Sequence, residues 1–341
     1  MAQPRRREPR VTLADVARLA GVSTTTASFV LAGRTDMRIS SRTADNVRRA
    51  ARVLDYRPRM GGRVHLAEQR PAGGFISDTI ASEPFAGELI RGGIAAAARQ
   101  GQTVVVAETG GGGNLEAGLI QELLDGGVQA FLYAATATRA VRVPDALLDR
   151  HTVLVNCIDR RWRLPSVLPD DRSGGVLAAQ TLVEAGHGDR IWLVGEVGGG
   201  PLAGRERHAG VVSFLKRRGL TLANHVDSKW WPPQTRTALV RALADTKRRP
   251  SAIIAMNDRA AMGVYQAATD TGLRIPEDLS VVSFDNSDLA WWLAPGLTSI
   301  ALPYYEIGSR AMEIALGAQP RRRVERLSMP RFDRESIAAP A

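Results

Sequence analysis

The side chains best suited to bind a polar small molecule are acids, amides and arginines that follow short apolar runs. They are Asp78, Asn156, Asn257-Asp258, Asp285-Asn286, Arg205 and Arg207. Carboxylates and amides can each form paired hydrogen bonds to neighbouring hydroxyls, which is the pattern that binds sugars. Taken singly, an Asp or Asn after a strand is more often a helix cap, and that alternative stays open for each of them.

Four tryptophans offer flat apolar surface that would suit one face of a sugar ring. They are Trp230, Trp231, Trp291 and Trp292. A tryptophan more often serves only in packing, so this second interpretation also stays open.

A run of three threonines, Thr24-Thr25-Thr26, carries a different chemistry near the N-terminus. Their hydroxyls can donate or accept hydrogen bonds, and their methyl groups suit the methyl group of thymine. Residues 1–60 contain thirteen arginines, no lysine and five acids, a charge of +8, whereas the whole chain carries +10. A basic segment joined to a nearly neutral body indicates a polyanionic partner for that segment alone.

A predicted pair of helices positions these threonines. Thr12 can cap the first helix with Asp15 as its capping-box partner, and Gly21 supplies the left-handed residue that ends it. Ser23 can cap a second helix, predicted from Thr24 to about Ala32. This spacing is typical of a helix-turn-helix, in which the start of the second helix meets base edges in the major groove.

The rest of the chain alternates short β-branched runs with longer amphipathic runs. The predicted strands are 74–77, 103–107, 129–133, 152–156, 191–194, 251–255 and 280–284. The predicted helices are 85–99, 114–126, 144–149, 174–185, 205–218, 234–246 and 260–271. The alternation predicts two parallel sheets covered on both faces, with ligands bound beyond the carboxyl ends of the strands.

The first sixty residues resemble the start of the lactose-repressor (LacI/GalR) family of bacterial regulators. The resemblance is carried by Val11 to Ser28, by Ser40-Ser-Arg-Thr43 and by Leu54-Asp-Tyr-Arg-Pro58. It implies that Thr24, Thr25 and Phe29 face the bases, and that Thr12, Ser23, Ser28 and Thr43 touch phosphates. Thr26, Arg34, Arg57 and Leu66 complete the predicted DNA-binding set. Phe29 replaces a residue that is often polar in the family, and contact with a thymine methyl or packing beside Val30 both stay open.

The body resembles the family's periplasmic-binding-protein-like effector domain. The matching motifs include Pro169-Asp-Asp-Arg-Ser-Gly-Gly175, Asn257-Asp258 and Val281-Val-Ser-Phe-Asp285. The resemblance implies that Arg207 and Asp285 hold effector hydroxyls or charges, and that Phe85, Trp230 and Asn257 line the cleft. With Asp78 and Asn156 these residues form the predicted effector site. Asn156 stands where some relatives have aspartate, so a particular effector cannot be transferred.

The joint between the two parts departs from the family pattern. The resemblance implies a short hinge helix that inserts a leucine into a base step in the minor groove. Here His65 stands at that position and Leu66 follows it, while each glycine of Gly61-Gly62 costs about 1 kcal/mol in a helix interior. Insertion of Leu66 in a shifted register, a hinge ordered only on DNA and an ordinary linker all stay open.

Sequence motifs argue against an enzyme. The glycine runs at 110–113 and 195–200 lack the G-x-G-x-x-G spacing, and neither precedes G-K-[ST]. Neither H-E-x-x-H nor G-x-S-x-G occurs. His187 and the single cysteine, Cys157, are expected to be structural. We therefore predict no catalytic residue, no metal site and no cofactor.

The sequence also bears on where in the cell the protein is located. No apolar run approaches the ~18 residues of a membrane span, and the Arg- and Pro-rich N-terminus is not a secretory signal. We expect a cytoplasmic, nucleoid-associated protein with no membrane partner.

The predicted chain has three parts: a helix-turn-helix domain (1–57), a hinge (58–71) and an effector-binding and dimerisation domain (72–341). The last divides into a subdomain of residues 72–158 and 302–318 and a subdomain of residues 159–298 and 320–338. The predicted function is that of a homodimeric repressor on pseudo-palindromic double-stranded DNA, controlled by a small effector, most simply a sugar. A purine or other non-sugar corepressor, and a constitutive DNA binder with a vestigial cleft, stay open.

Overall fold

A computed structural model describes residues 11–31, 39–54, 56, 73–79, 86–111, 113–198 and 201–340. The chain divides into two units, Met1–Glu68 and Gln69–Ala341, each with a hydrophobic core of its own. Within the described residues, no helix is both long and apolar enough to cross a membrane.

The first helix of the N-terminal unit, α1 (Leu13–Ala20), begins at the predicted capping box. The Asp15 amide donates to the Thr12 hydroxyl at 3.3 Å, and the Thr12 amide donates to the Asp15 carboxylate at 2.9 Å. Hydrogen bonds from the Thr12 hydroxyl and amide lower the pKa of Asp15. The helix ends at Gly21, whose φ of 67° lies in the left-handed region that favours glycine.

Two further helices complete this unit, α2 (Thr24–Leu31) and α3 (Ser41–Val53). The residue before each helix caps it, because the Ser23 hydroxyl accepts the Thr26 amide and the Ser40 hydroxyl accepts the Thr43 amide, both at 3.1 Å. The buried core consists of small and β-branched side chains: Val16, Ala17, Ala27, Val30, Val47, Ala50 and Ala51. The predicted helix-turn-helix is confirmed.

The second unit contains two six-stranded sheets. The strands of the first sheet are β1 (Gly73–Ser77), β2 (Val104–Glu108), β3 (Ala130–Val141), β4 (His151–Asp159), β5 (Ser166–Pro169) and β11 (Val324–Leu327). They pair in the order β11-β5-β4-β3-β1-β2, and every pairing is parallel. Parallel strands are buried on both faces, as β1, β4 and β5 are over almost their whole length.

The second sheet repeats this arrangement. Its strands are β6 (Ile191–Val194), β7 (Asn224–Val226), β8 (Ala252–Ala255), β9 (Ser280–Asp285), β10 (Thr298–Ala301) and β12 (Arg331–Phe332). They pair in the order β12-β10-β9-β8-β6-β7, and all pairings are parallel except that of β12 with β10. The prediction of two parallel sheets is confirmed, except that β12 pairs antiparallel at the edge of the second sheet.

Helices connect the strands. They are α4 (Ala86–Arg99), α5 (Gly113–Asp125), α6 (Asp171–Glu184), α7 (Leu202–Arg217), α8 (Pro232–Leu243), α9 (Asp258–Asp270), α10 (Asp288–Trp292) and α11 (Tyr304–Ala315). Two glycines set the crossing of α6 and α7, because a Cβ on Gly175 would lie 2.0 Å from the Arg207 carbonyl oxygen and one on Gly210 would lie 2.1 Å from that of Arg172. This close approach brings Arg207 of α7 beside Asp171 of α6.

Some predicted boundaries are wrong. The predicted second subdomain includes Ser166–Pro169 and Val324–Leu327, yet these strands pair with each other and extend the first sheet beyond β4. The predicted helix at 144–149 is only a short 3₁₀ turn, Asp145–Leu147, because the next strand begins at His151. The chain therefore crosses between the two sheets at different places from those predicted.

Candidate functional site

The exposed face of α2 carries the residues predicted to read DNA. Thr24, Thr25 and Ser28 are exposed, whereas Ala27 and Val30 are buried against the other two helices. The helix therefore presents its hydroxyls outward from a fixed position. Thr26 and Phe29 are half-buried, and the Thr26 hydroxyl lies 2.9 Å from that of Ser23.

The residues predicted to touch phosphates lie largely at helix N-termini. Thr12 and Ser23 cap α1 and α2, and both are exposed. Thr43 is half-buried in the first turn of α3, with its hydroxyl 2.8 Å from that of Ser40. Helix N-termini present free amide groups and a partial positive charge, so this placement suits anionic oxygens. The predicted contacts Arg34, Arg57 and Leu66 lie outside the described residues, as does Phe85 of the effector site.

In the second unit, five of the predicted effector residues meet at one cavity of about 210 Å³. They are Asn156, Arg207, Trp230, Asn257 and Asp285. The remaining lining residues are Thr136, Ala137, Thr138, Pro201, Ala203, Trp231, Arg259, Leu302 and Tyr304. Both sheets contribute, because β3 and β4 supply the first side and β9, α7 and the start of α9 supply the second.

Arg207 is the most constrained side chain of the cavity. Only 1% of its surface is exposed, and its guanidinium stacks 4.4 Å from the centre of the Phe284 ring and 5.4 Å from that of Trp230. Its Nε donates to Asp171 at 2.8 Å and its Nη1 donates to the Met256 carbonyl at 2.5 Å. Its Nη2 forms no hydrogen bond to the described residues, so this nitrogen keeps donor capacity.

Asp285 ends β9 in an unusual conformation, with φ of 104°, and Asn286 follows with φ of 51°. Burial raises the pKa of Asp285 to about 8, against the opposing effect of the nearby Arg207 charge. Within the described part of the chain, its carboxylate accepts no hydrogen bond. Asn286 is fixed by Arg334, which donates to its side-chain oxygen at 2.7 Å, and by Ser299, which accepts its amide at 2.9 Å.

The neighbours Asn257 and Asp258 have separate roles. Asn257 lines the cavity and caps α9 by accepting the Ala260 amide at 2.7 Å. Asp258 is fully buried away from the cavity, where its carboxylate accepts hydrogen bonds from Ser283, Ser287 and Ser299. The capping alternative therefore describes part of the role of Asn257, and Asp258 is a structural residue.

The predicted effector residues of the first sheet, Asn156 and Asp78, already form hydrogen bonds within the protein. The Asn156 side chain accepts from the Thr138 hydroxyl at 2.6 Å and donates to the Ala135 carbonyl at 3.0 Å. Asp78 does not line the cavity, because its carboxylate faces β3, where Arg139 donates to it at 2.5 Å and the Thr136 amide at 3.3 Å. This side of the cavity is bound together by its own hydrogen bonds.

Sequence reasoning missed several lining residues. Thr136 and Thr138 lie within the register shift of β3 between Ala134 and Arg139, and Arg259 and Tyr304 lie in the first turns of α9 and α11. Threonine, arginine and tyrosine at these positions give no sequence signal for ligand binding. Trp230 and Trp231 do line the cavity, whereas Trp291 and Trp292 are 69% and 74% exposed and do not.

The two residues considered as possible catalysts are both buried. His187 contacts the Ser251 hydroxyl and the Ala338 carbonyl, each at 3.0 Å. Burial raises the pKa of the Cys157 thiol to about 12, so the reactive thiolate is scarce at neutral pH. The described residues contain no cluster of three or more His, Cys, Asp or Glu that would hold a metal ion.

Comparisons with known proteins agree with this geometry. Residues 12–59 match the profile described as "Bacterial regulatory proteins, lacI family", and residues 179–337 match the "Periplasmic binding protein-like domain". The repressor PurR of Vibrio atlanticus is 30% identical over 312 residues, covering 89% of this chain and 91% of that protein.

Solved structures also share the fold. The lac repressor dimer bound to operator and an anti-inducer has a TM-score of 0.67 and 23% identity, covering 97% of this chain and 100% of that chain. The regulator CelR in complex with cellobiose has a TM-score of 0.63 and 24% identity, covering 96% and 100%.

A helix-turn-helix unit joined to a two-sheet unit with a polar cavity defines an effector-controlled DNA-binding repressor. The chain belongs to the LacI family of bacterial regulatory proteins.

Proposed function

We propose that this repressor recognises its operator through Thr24 and Thr25 and responds to a small polyhydroxylated effector, a sugar, in the cavity between its two sheets. One observation carries the effector proposal: Asp285 lines the cavity, is half-buried and has no hydrogen-bond partner among the described residues. The carboxyl oxygens that face the cavity are therefore available to a ligand, and a ligand hydroxyl that hydrogen-bonds to them gains binding energy.

The other polar groups of the cavity suit the same ligand. Among the described residues the Nη2 of Arg207 has no hydrogen-bond partner, and the Asn257 amide nitrogen is not used by its helix cap. Paired donors and acceptors of this kind match neighbouring hydroxyl groups on a ring. The indoles of Trp230 and Trp231 supply apolar walls on the same cavity.

A purine-like base is the second candidate, because the aromatic side chains Trp230, Trp231 and Tyr304 would suit a planar ring equally well. Neither the Asp285 carboxyl group nor the aromatic walls distinguish the two candidates. Binding of sugars, nucleosides and nucleobases must therefore be compared directly.

The cavity also suggests how an effector would act. Its lining comes from both sheets, so a ligand that contacts Asn156 and Asp285 together favours one relative placement of the two halves. Such closure would alter the spacing of two DNA-binding units in a dimer and hence the operator affinity. Whether the effector releases or strengthens DNA binding depends on which placement binds the operator.

Exposed apolar residues support a homodimer. Ile94 of α4, Val105 and Val106 of β2, and Leu115 of α5 are between 39% and 56% exposed, and the three elements are in contact. A second copy of the chain is the proposed cover, since a two-fold dimer matches a near-palindromic operator. Because a repressor must reach the chromosome, we propose the cytoplasm as its location.

Fluorescence anisotropy with DNA selected from a random pool tests the proposal. We expect the full chain to prefer the selected duplex over a scrambled one by about 10³-fold or more, and Thr25→Ala to reduce only the specific affinity. Equal affinity for both duplexes would overturn specific recognition. At least one sugar, nucleoside or base should change operator affinity, by about 5–150-fold. If none does, the constitutive DNA binder is the better description.

A further inference from the structure

A second cavity, of about 360 Å³, is lined entirely by charged residues and shares none of them with the effector cavity. Its lining residues are Arg142, Asp145, Asp159, Arg160, Arg161 and Arg163. Arg142 follows β3, Asp159 ends β4, and Arg160, Arg161 and Arg163 follow it, at the end where the two strands are paired. The four guanidinium groups and two carboxylates leave a net charge of +2.

Only one of the four arginines of this cavity forms an ion pair with a described acid. Arg163 holds Asp159 in a bidentate pair, with Nε and Nη2 at 2.9 and 3.2 Å from its oxygens, and this hydrogen bonding lowers the pKa of Asp159 to about 2. Arg142, Arg160 and Arg161 are exposed and form no ion pair with any described residue. Three guanidinium groups that share one concave surface repel one another, and an anion between them would relieve that repulsion.

The backbone around the cavity is fixed by hydrogen bonds. The Arg160 amide donates to the Val141 carbonyl at 3.3 Å, and the Trp162 amide donates to the Asp159 carbonyl at 2.9 Å. Arg323 donates to the Arg163 carbonyl at 2.7 Å and ties the turn to the segment before β11. The turn that carries these arginines is therefore fixed by backbone hydrogen bonds. Its backbone loses less conformational entropy when a ligand binds.

We propose that this arginine cavity binds the dianionic phosphoryl group of a phosphorylated small molecule. Guanidinium groups bind phosphate oxygens through paired hydrogen bonds, and a dianion would balance the +2 charge of the lining. Trp162, 50% exposed with φ of 54°, stands in the same turn and offers its indole to a base if the ligand is a nucleotide. Asp159 is three residues beyond Asn156 on β4, so the cavity lies about 10 Å along that strand from the effector site. The binding itself does not depend on the proposed function.

Isothermal titration calorimetry of the full chain at low salt tests the proposal, with inorganic phosphate, glucose 6-phosphate and adenosine monophosphate as ligands. We expect binding to weaken by about tenfold or more in the double variant Arg160→Ala/Arg161→Ala, because several charge-assisted hydrogen bonds are lost. A matched control, Arg241→Ala/Arg248→Ala, removes two exposed arginines on and after α8 and should bind like the wild type. Thermal unfolding of both variants confirms that they are folded.

Further variants distinguish a nucleotide ligand from a simple phosphate, and binding at this cavity from binding at the effector cavity. If adenosine monophosphate binds more tightly than inorganic phosphate and Trp162→Ala removes the difference, the ligand is a nucleotide; equal binding of all three identifies a phosphate site. Asp285→Asn should leave phosphoryl binding intact, so failure of the effector proposal would not affect this result. No binding by the wild type, or equal weakening in the control variant, would overturn the arginine cavity as a site.

Discussion

On one side of the effector cavity, the side chains of Asn156 and neighbouring Asp78 are bound by Thr138 and Arg139 of the strand between them. On the other side, the Asp285 carboxylate faces the cavity without a partner among the described residues, although Arg207 lies close by and pairs with Asp171 instead. On the first side, the polar side chains are therefore already hydrogen-bonded before a ligand binds. On the second side, Asp285 still has acceptor oxygens available, so we expect this side to determine ligand binding.

This difference has a physical cause in the strand ends. β3 continues past the end of β1 at Ser77 and stays paired with β4 beyond a register shift between Ala134 and Arg139. The side chains of Thr138 and Arg139 therefore reach Asn156 and Asp78. In the second sheet, β9 ends at Asp285 in a left-handed conformation, and Arg334 holds Asn286 rather than the carboxylate. Four substitutions can break or sharpen the comparison.

The largest effect is expected from Arg207→Met, which removes the partner of a buried carboxylate. Asp171 has no exposed surface and its Oδ2 has no hydrogen-bond partner in the described part of the chain, so the variant should lose about 3–5 kcal/mol of unfolding free energy. Urea unfolding followed by tryptophan fluorescence measures this, because all six tryptophans lie in the second unit. The control Arg236→Met breaks an exposed pair with Asp270 and should cost about 0–1 kcal/mol. Equal losses in the two variants would contradict this account.

The pH dependence of stability should report Asp285. Its pKa of about 8 in the folded chain lies above the ordinary 3.8, so the folded state holds a proton that the unfolded state has released between these values. Stability contributed by this group is therefore complete below about pH 4 and lost as pH rises toward 8, by up to about 1.4 kcal/mol per pH unit. Asp285→Asn should remove that slope. An unchanged slope in the variant would show that Asp285 does not have the raised pKa.

Asn156→Ala should lower the free energy of unfolding and leave the ligand specificity unchanged. The substitution leaves the Thr138 hydroxyl and the Ala135 carbonyl without partners, and alanine is strained at φ of 55°. We expect a loss of about 1–3 kcal/mol in urea unfolding. Asn156→Gly relieves the strain but not the lost hydrogen bonds, so the difference between the variants measures the backbone contribution. A variant as stable as the wild type would show that the hydrogen bonds of Asn156 do not stabilise this side of the cavity.

Thr138→Val should have the smallest effect. It keeps the shape of the side chain and removes one buried hydrogen bond to Asn156, which corresponds to about 1 kcal/mol. The same unfolding assay applies, and effector affinity should change little. A large loss of affinity would mean that the hydroxyl contacts the ligand directly and that the first side is less complete than its hydrogen bonds indicate.

The features predictable from sequence were those with local signals. Thr12, Asp15 and Gly21 specify a capped helix and its end, and the alternation of apolar runs predicts the two parallel sheets. Asn257 and Asp285 could be placed near each other because parallel strands end at a common edge.

The remaining features depend on contacts that no local pattern encodes. Nothing near Asp78 or Asn156 indicates that Arg139 and Thr138 would satisfy them after a shift of register. The pairing of Ser166–Pro169 with Val324–Leu327 joins segments far apart in the chain, and the burial of Asp258 beside three serines arises only when β9, β10 and α9 come together.

The most direct test of the account is a thermal-shift screen of sugars, nucleosides and nucleobases against the wild type, Asp285→Asn and Asp78→Asn. We predict that at least one class of compound raises the unfolding temperature of the wild type and of Asp78→Asn, and that Asp285→Asn loses most of that shift. A shift retained in Asp285→Asn, or lost only in Asp78→Asn, would contradict the assignment of ligand binding to the second side of the cavity.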